Sequence, residues 1–484
     1  MFPHINRIEK SDKLFIVVFI LYIFFQVIFY IKVQEHYPNN GFLDDERNSY
    51  GDLAGNLANY GEYSEGKYPN LGEYTSRPPF YPIVLSIPYK IFGKSHLWGI
   101  ILNNIFLSLT ILIIYLIGNQ LMKPVGLFAA MIFMMDPMVL KLANTNTSDM
   151  LFTVLLALFV FLTAKSLIQG NFTFRNVLLL SLVLALVTFT RAVGMYVWII
   201  ALATFIFTYR HNLKKIQMLK YLTIFLFIQF FIIGGWMVRN YQMTGNSDYA
   251  GMKSTHLYYF VVPEIISSRD KVSMNVALKR VEEGISKDPE YLHLSNGEKQ
   301  KYRSRIATKI MFENWPYLML NILGNMSKFF FSYPVDALTV FYEPHKFDAV
   351  ENYLKLDASL RMYNSDGSLT VKLKEKIGIL RAYYSNGMSF VLVHGVLMKS
   401  FYIIITLSGV AGFLFMLLNK DNAIRSKGFF LCGLIAYIVL VSNLTVQGRF
   451  RVPVMPYLSV SAAYFFYIGW TWIKNRRENR LRNV

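Results

Sequence analysis

Three consecutive carboxylates, Asp44, Asp45 and Glu46, stand just after the first apolar run of the chain, with Asp52 six positions past the last of them. A carboxylate held at a lipid surface can take the proton from an acceptor hydroxyl or amine while a second substrate stays in the membrane, which is general-base chemistry. Asp is equally suited to opening a helix, so an ordinary capping loop accounts for the same residues. The residues that follow favour chemistry. Tyr50, Leu53, Ala54, Leu57, Ala58, Gly61 and Tyr63 recur at helical spacing, which predicts a short helix lying flat on the membrane with the acids at its start.

A second acid, Asp149, comes directly after Thr145, Thr147 and Ser148. It reads either as the cap of a helix beginning at Met150 or as a residue serving an acceptor or a metal. With Asp45 it would offer a divalent ion only two carboxylates, a thin ligand set. Five arginines, Arg77, Arg191, Arg239, Arg449 and Arg451, lie at or beside the ends of apolar stretches. An unpaired cation is costly there. Guanidinium forks suit a lipid phosphate, while snorkelling to headgroups or pairing with nearby acids would also explain them. Lys253 and His256 are further candidates for contact with a phosphate or acceptor.

The elements that must position these groups are apolar helices. Of 484 residues, 54% are hydrophobic and 16% charged, where a soluble domain carries about 25% charge. The chain is therefore expected to be an all-α polytopic membrane protein. Its net charge of +19 reads as Lys and Arg on cytoplasmic loops against anionic lipid, not as a nucleic-acid surface. The lone Cys432 leaves no disulfide or cysteine metal cluster. No Walker A loop or Rossmann fingerprint is present, so no nucleotide is expected.

Apolar runs at 14–33, 97–119, 125–142, 149–168, 176–190, 194–209, 218–238, 397–418, 428–444 and 452–473 predict about ten transmembrane helices, within a range of 8–12. The first run lacks a small-residue cleavage site and reads as a retained span. Two stretches are ambiguous: 79–92, broken by Pro82 and Pro88, and 315–333, which carries Lys328. Placing both at the interface puts the basic clusters on one side. The positive-inside rule then sets both termini in the cytoplasm and makes 79–92 a juxtamembrane helix. Three parts follow: an N-terminal transmembrane module, 1–238, with the acidic first outer loop at 34–96; a partly interfacial helical segment on the outer face, 239–396; and C-terminal helices with a basic tail, 397–484. This topology gathers the acidic loop, the Asn144–Asp149 turn, the break at Arg191 and the Gln447–Pro456 hinge on the non-cytoplasmic side.

Several blocks resemble one enzyme family in order. Tyr50-x3-Ala54-x-Asn56-Leu57-x3-Gly61-x-Tyr63-Ser64, then Ser76-Arg-Pro-Pro-Phe-Tyr-Pro82, is similar to the first outer loop of the GT-C glycosyltransferases. The branch is that of dolichyl-phosphate-mannose–protein mannosyltransferases and lipid A aminoarabinose transferases. Asp136-Pro137 with Thr147–Leu151, Thr190-Arg191, Trp236-x-x-Arg-Asn240 and Gly448-Arg-Phe-Arg-Val-Pro453 resemble its later blocks. The resemblance implies a GT-C-like bundle and an inverting transfer from a polyprenyl-phosphate sugar on the outer face, needing no cofactor. It also implies Asp149 at the acceptor or metal site and the arginines at the donor phosphate. The family usually sets its catalytic Asp four residues before the tyrosine, where this chain has Glu46. Asp45 is taken as the base, with Glu46 and Asp44 as alternates; a divalent metal at Asp45 and Asp149 stays open.

The expected partners are a polyprenyl-phosphate sugar donor, a glycan, lipid or protein acceptor, and membrane lipids, in a prokaryotic plasma (inner) membrane. Two other classes remain. A transporter or flippase would show internal repeats and polar residues near the bilayer midplane. An O-antigen-ligase or polymerase type of enzyme would not need the acidic first loop.

Overall fold

A computed structural model describes residues 10–36, 49–72, 74–169, 173–209, 215–332, 389–444 and 448–482, with scattered positions between 334 and 385. Among these residues the only strand-like pairing is a single bridge, Lys67 to Asn70. Everything else that is regular is helix, because long unbroken apolar runs in lipid can satisfy their backbone only internally.

The N-terminal part comprises α1 (Lys10–His36), α2 (Ser49–Tyr60), α3 (Phe80–Phe92), α4 (His96–Asn119), α5 (Lys123–Met134), α6 (Pro137–Ala143), α7 (Asp149–Gln169), α8 (Phe174–Thr190), α9 (Val197–Tyr209) and α10 (Lys215–Thr244). Five short or amphipathic helices follow: α11 (Met252–His256), α12 (Val262–Asp270), α13 (Met274–Ser286), α14 (Pro289–Leu292) and α15 (Asn296–Glu313). The chain returns to apolar surface in α16 (Trp315–Phe331), and ends in α17 (Ser389–Leu417), α18 (Asn422–Ser442) and α19 (Met455–Arg482).

Helix occupies each of the ten predicted apolar runs, yet among the described residues six helices are long and apolar enough to cross a membrane, or seven if α5 and α6 count as one bent span. Local chemistry explains the difference. Asp136 accepts a hydrogen bond from the Met138 backbone N–H, and Pro137 occupies the first turn of α6. That cap starts a new helix in the middle of an apolar run and bends the pair by 68°. Between α8 and α9 the break comes at Arg191, whose extended backbone (φ −149°, ψ 137°) hands over to a 3-10 turn at Ala192–Tyr196. The stretch 79–92 forms a helix, α3, with Pro88 inside it. α10 continues to Thr244, beyond its apolar run, and stops where Gly245 takes a positive φ of 70°.

Small residues set the closest helix contacts. A Cβ at Gly412 of α17 would fall 2.0 Å from the Ser461 carbonyl oxygen of α19, and Ser461 Oγ donates to the Gly409 carbonyl at 2.7 Å. α4 meets α5 in the same way at Gly118 and Gly126. In lipid, where apolar burial adds little, such backbone approach is what drives helices together. α12, α13 and α15 form a separate polar-faced subdomain around Tyr258, Val262, Val281, Ile285 and Ala307. A capping box between Ser295 and Glu298 opens its longest helix.

Gly412→Val is expected to force α17 off α19 and cost about 1–3 kcal/mol. A lowered thermal midpoint in detergent checks it; an unchanged midpoint would mean that the approach is not needed.

Candidate functional site

The site is built on a stretch of polar chain buried within the bundle. Asn144 to Asp149 are all between 0 and 5% exposed. They lie between two helices in an apolar surround, where a polar group without a partner inside the protein is costly. Asn103 of α4 donates through Nδ2 to the carbonyls of Thr145 at 2.6 Å and Thr147 at 3.0 Å. Tyr81 of α3 donates its hydroxyl to Asn146 Oδ1 at 2.7 Å. Gly99 makes room for that amide, since a Cβ there would stand 2.1 Å from Asn146 Oδ1. The Tyr50 hydroxyl of α2 lies 2.9 Å from Ser148 Oγ.

Asp149 ends the stretch and begins α7. Its Oδ1 accepts from Arg191 Nη1 at 2.5 Å, while Oδ2 has no hydrogen-bond partner among the described residues. Arg191 reaches it because the helix breaks there. From this pair a continuous row of contacts runs in both directions. On one side the Arg191 guanidinium sits 5.6 Å from the centroid of the Phe450 ring, and Arg449 sits 5.4 Å from the same centroid. On the other side Arg77 lies over the Tyr50 ring at 4.5 Å. Arg77, Tyr50, Ser148, Asp149, Arg191, Phe450 and Arg449 thus meet from five separate parts of the sequence.

The row holds three guanidiniums and one carboxylate. Arg449 has no ion pair among the described residues, and its Nε is buried without a partner. Burial lowers the pKa of Arg449; the field of Asp149 opposes that shift, and those of Arg191 and Arg77 add to it. Tyr50 shows the same excess of positive charge: burial would raise its phenol, but Arg77 first and then Arg191 pull it below its ordinary value. His256 at the end of α11 is lowered by burial and then by Arg449, Arg77 and Arg191, so it favours the neutral form. A one-turn π-helical segment, Leu257–Val261, follows it directly.

The other two predicted arginines go elsewhere. Arg239 donates to the Tyr74 carbonyl at 2.8 Å and lies over Trp236 at 4.6 Å. Asn240 Nδ2 and Trp236 Nε1 both reach the Tyr249 carbonyl, so this block ties α10 to the loops at 74–76 and 245–251. Arg451 is 1% exposed, with Nη2 3.3 Å from Asp136 Oδ1. Asp44, Asp45 and Glu46 lie outside the described residues. No group of three or more His, Cys, Asp or Glu that could hold a metal occurs among the described residues. Asp149 already has a guanidinium on one oxygen, which is a poor start for a cation site.

Sequence reasoning singled out Arg77, Asp149, Arg191 and Arg449 but missed Phe450, Asn103 and Asn146. Asn103 did carry a signal: an amide inside an apolar run is expensive in lipid unless a polar partner faces it.

Arg191→Ala strands the buried Asp149 charge and is expected to cost about 3–5 kcal/mol, much of it recovered when Asp149→Ala is added. Unfolding of both variants in detergent tests this, and equal losses would contradict it. For His256, burial holds the folded pKa below the ordinary imidazole value, so the unfolded chain binds the proton more readily. Its contribution to stability is complete above about pH 6.5 and is lost as pH falls through the folded value. His256→Gln should flatten that acid limb of a stability profile, and an unchanged limb would assign the limb to other groups.

The family model described as dolichyl-phosphate-mannose-protein mannosyltransferase matches residues 76–236. No curated protein sequence matches the chain. Among solved structures, the oligosaccharyltransferase of Archaeoglobus fulgidus in the apo form is similar at 13% identity and a TM-score of 0.49, covering 96% of this chain and 52% of that one. ArnT from Cupriavidus metallidurans is similar at 12% identity and a TM-score of 0.39 in the apo state, covering 87% and 85%. Its structure bound to undecaprenyl phosphate gives 13% and 0.38, covering 92% and 77%. The chain spans about half the length of the archaeal oligosaccharyltransferase. Over residues 76–236, which carry Arg77, Asp149 and Arg191, the chain has the sequence pattern of a membrane glycosyltransferase, and it resembles the GT-C glycosyltransferases in their protein-mannosyltransferase and aminoarabinose-transferase branch.

Proposed function

We propose that the protein transfers a sugar from a polyprenyl-phosphate donor to an acceptor at the outer face of a plasma membrane. The observation that carries this is the row of three guanidiniums around one carboxylate, with Arg449 half-buried, its Nε enclosed, and free of any ion pair among the described residues. Uncompensated positive charge in a low-dielectric site is costly until an anion enters. A lipid phosphate is the anion whose tail can remain in the bilayer while its head occupies such a site.

In this reading the acceptor oxygen attacks the anomeric carbon and the bond from that carbon to the phosphate oxygen breaks, inverting the configuration. The electron pair leaves with the polyprenyl phosphate, whose growing charge Arg449, Arg191 and Arg77 stabilise. The acceptor's proton goes to a carboxylate. Asp45 is the chosen base, with Glu46 and Asp44 as alternates. It stands five residues before Tyr50, so at most about 18 Å of extended chain separates it from the row. Asp149 holds Arg191 in place. The basic start of α10 (Lys215, Lys220) and the basic end of α19 (Lys474, Arg476, Arg477) lie opposite the site end in helix direction, which supports a cytoplasmic assignment for them. A divalent metal is not needed for any of these steps.

The test is transfer by purified protein in detergent, with a panel of labelled polyprenyl-phosphate sugars. Arg449→Ala is expected to lower kcat/KM by about 10²–10³. Asp45→Asn should abolish turnover while donor binding persists; surviving activity would move the base to Glu46 or Asp44. If no donor turns over and lipid-linked sugar instead crosses proteoliposomes, the transferase reading is wrong.

A further inference from the structure

The buried pair between Asp136 and Arg451 lies outside the row of site residues, yet it shares a single turn of chain with it. Gly448–Arg451 is a 3-10 turn that carries Arg449, Phe450 and Arg451 in succession. At three residues per turn, side chains two positions apart leave the axis in different directions. Arg451 enters the core while Arg449 and Phe450 face Arg191. Fixing the first therefore fixes the rotation of the others.

Arg451 is held through both of its terminal nitrogens. Nη1 donates to the carbonyls of Phe330 and Ser332, both at 2.9 Å, at the end of α16. Nη2 is 3.3 Å from Asp136 Oδ1, and the guanidinium lies 3.9 Å from the centroid of the Tyr402 ring in α17. Tyr402 in turn donates its hydroxyl to Asp136 Oδ1 at 2.8 Å. Asp136 is 0% exposed and also caps α6. Gly448 closes the unit, since a Cβ there would fall 2.5 Å from Ser332 Cβ and 3.5 Å from Met138 Cε. An apolar pair could fill the same volume without the desolvation that two buried charges suffer. What the charged pair adds is direction.

We propose that Asp136, braced by Tyr402, is a positioning residue that acts through Arg451 to aim the Arg449 guanidinium at the lipid phosphate. This rests on the reading of Arg449 as a phosphate ligand. Asp136 itself is 0% exposed and touches no substrate.

The experiment is a double-mutant cycle on the full-length protein in detergent micelles, reading the affinity for a polyprenyl phosphate with the matching polyprenol as control. Asp136→Asn keeps the cap and the shape but removes the charge. Arg449→Ala is expected to weaken phosphate binding about tenfold or more, and Asp136→Asn about three- to tenfold. In the Arg449→Ala background, Asp136→Asn should add less than about twofold. A general loss of structure would instead cost the same in both backgrounds, and that result overturns the proposal. Should Asp136→Asn not fold, Tyr402→Phe removes one hydrogen bond to the same carboxylate and is read through the same cycle. If Arg449→Ala leaves binding intact, the phosphate reading fails first and the proposal falls with it.

Discussion

Within a bilayer no solvent satisfies a broken backbone, and this constraint shapes the protein more than any single contact. Between α6 and α7 the chain leaves helix while still buried, and six polar residues in a row must be paired by their neighbours. The partners come from α2, α3, α4 and the α8–α9 break. Those elements cannot shift independently without orphaning an amide, a hydroxyl or a carboxylate. A rigid polar platform results, at the end of the bundle where Asp149 begins its helix.

The helix breaks share one logic. At Asp136-Pro137 a carboxylate caps the new helix and also neutralises Arg451. At Arg191 the extended residue that ends α8 sends its guanidinium to Asp149. At Gly448–Arg451 a 3-10 turn splits its two arginines between the core and the site. The Asp136 and Gly448–Arg451 breaks are thus tied to each other by charge and the Arg191 break to the start of α7, so that Arg451 and Asp149 each have a partner from another part of the chain while Arg449 has none among the described residues. Phe450 links two of these breaks, since its ring lies beside both Arg191 and Arg449.

Much of this was legible in the sequence. The spacing of Tyr50, Leu53, Ala54 and Ala58 announced a helix with one apolar face, expected on the membrane; the helix is there, and those four residues are buried, with Tyr50, Ala54 and Ala58 clustered with Tyr81, Leu85 and Tyr89 of α3. The polar turn ahead of Asp149 and the Arg191 break were equally visible, because polar residues interrupting apolar runs stand out. The division of labour between Arg449 and Arg451 was not. They are two positions apart in one motif, and only the carboxylate of Asp136, 315 residues from Arg451, separates their roles. No local pattern encodes a contact of that range. The number of spans was likewise blurred, because a cap inside an apolar run changes a helix's direction without changing its hydropathy.

The Phe450 bridge also bears on whether the chain can be divided. Residues 76–236 carry the recognisable sequence pattern and supply Arg77, Asp149 and Arg191. Tyr50, which joins Arg77 to Ser148, precedes that stretch, and Phe450 with Arg449 comes more than two hundred residues after it. A fragment cut to the recognisable stretch would keep three charged groups and lose the aromatic rings that space them. The most readable third of the chain is therefore not a module that could be lifted out; α2 ahead of it and the 3-10 turn at Gly448–Arg451 belong to the same working unit.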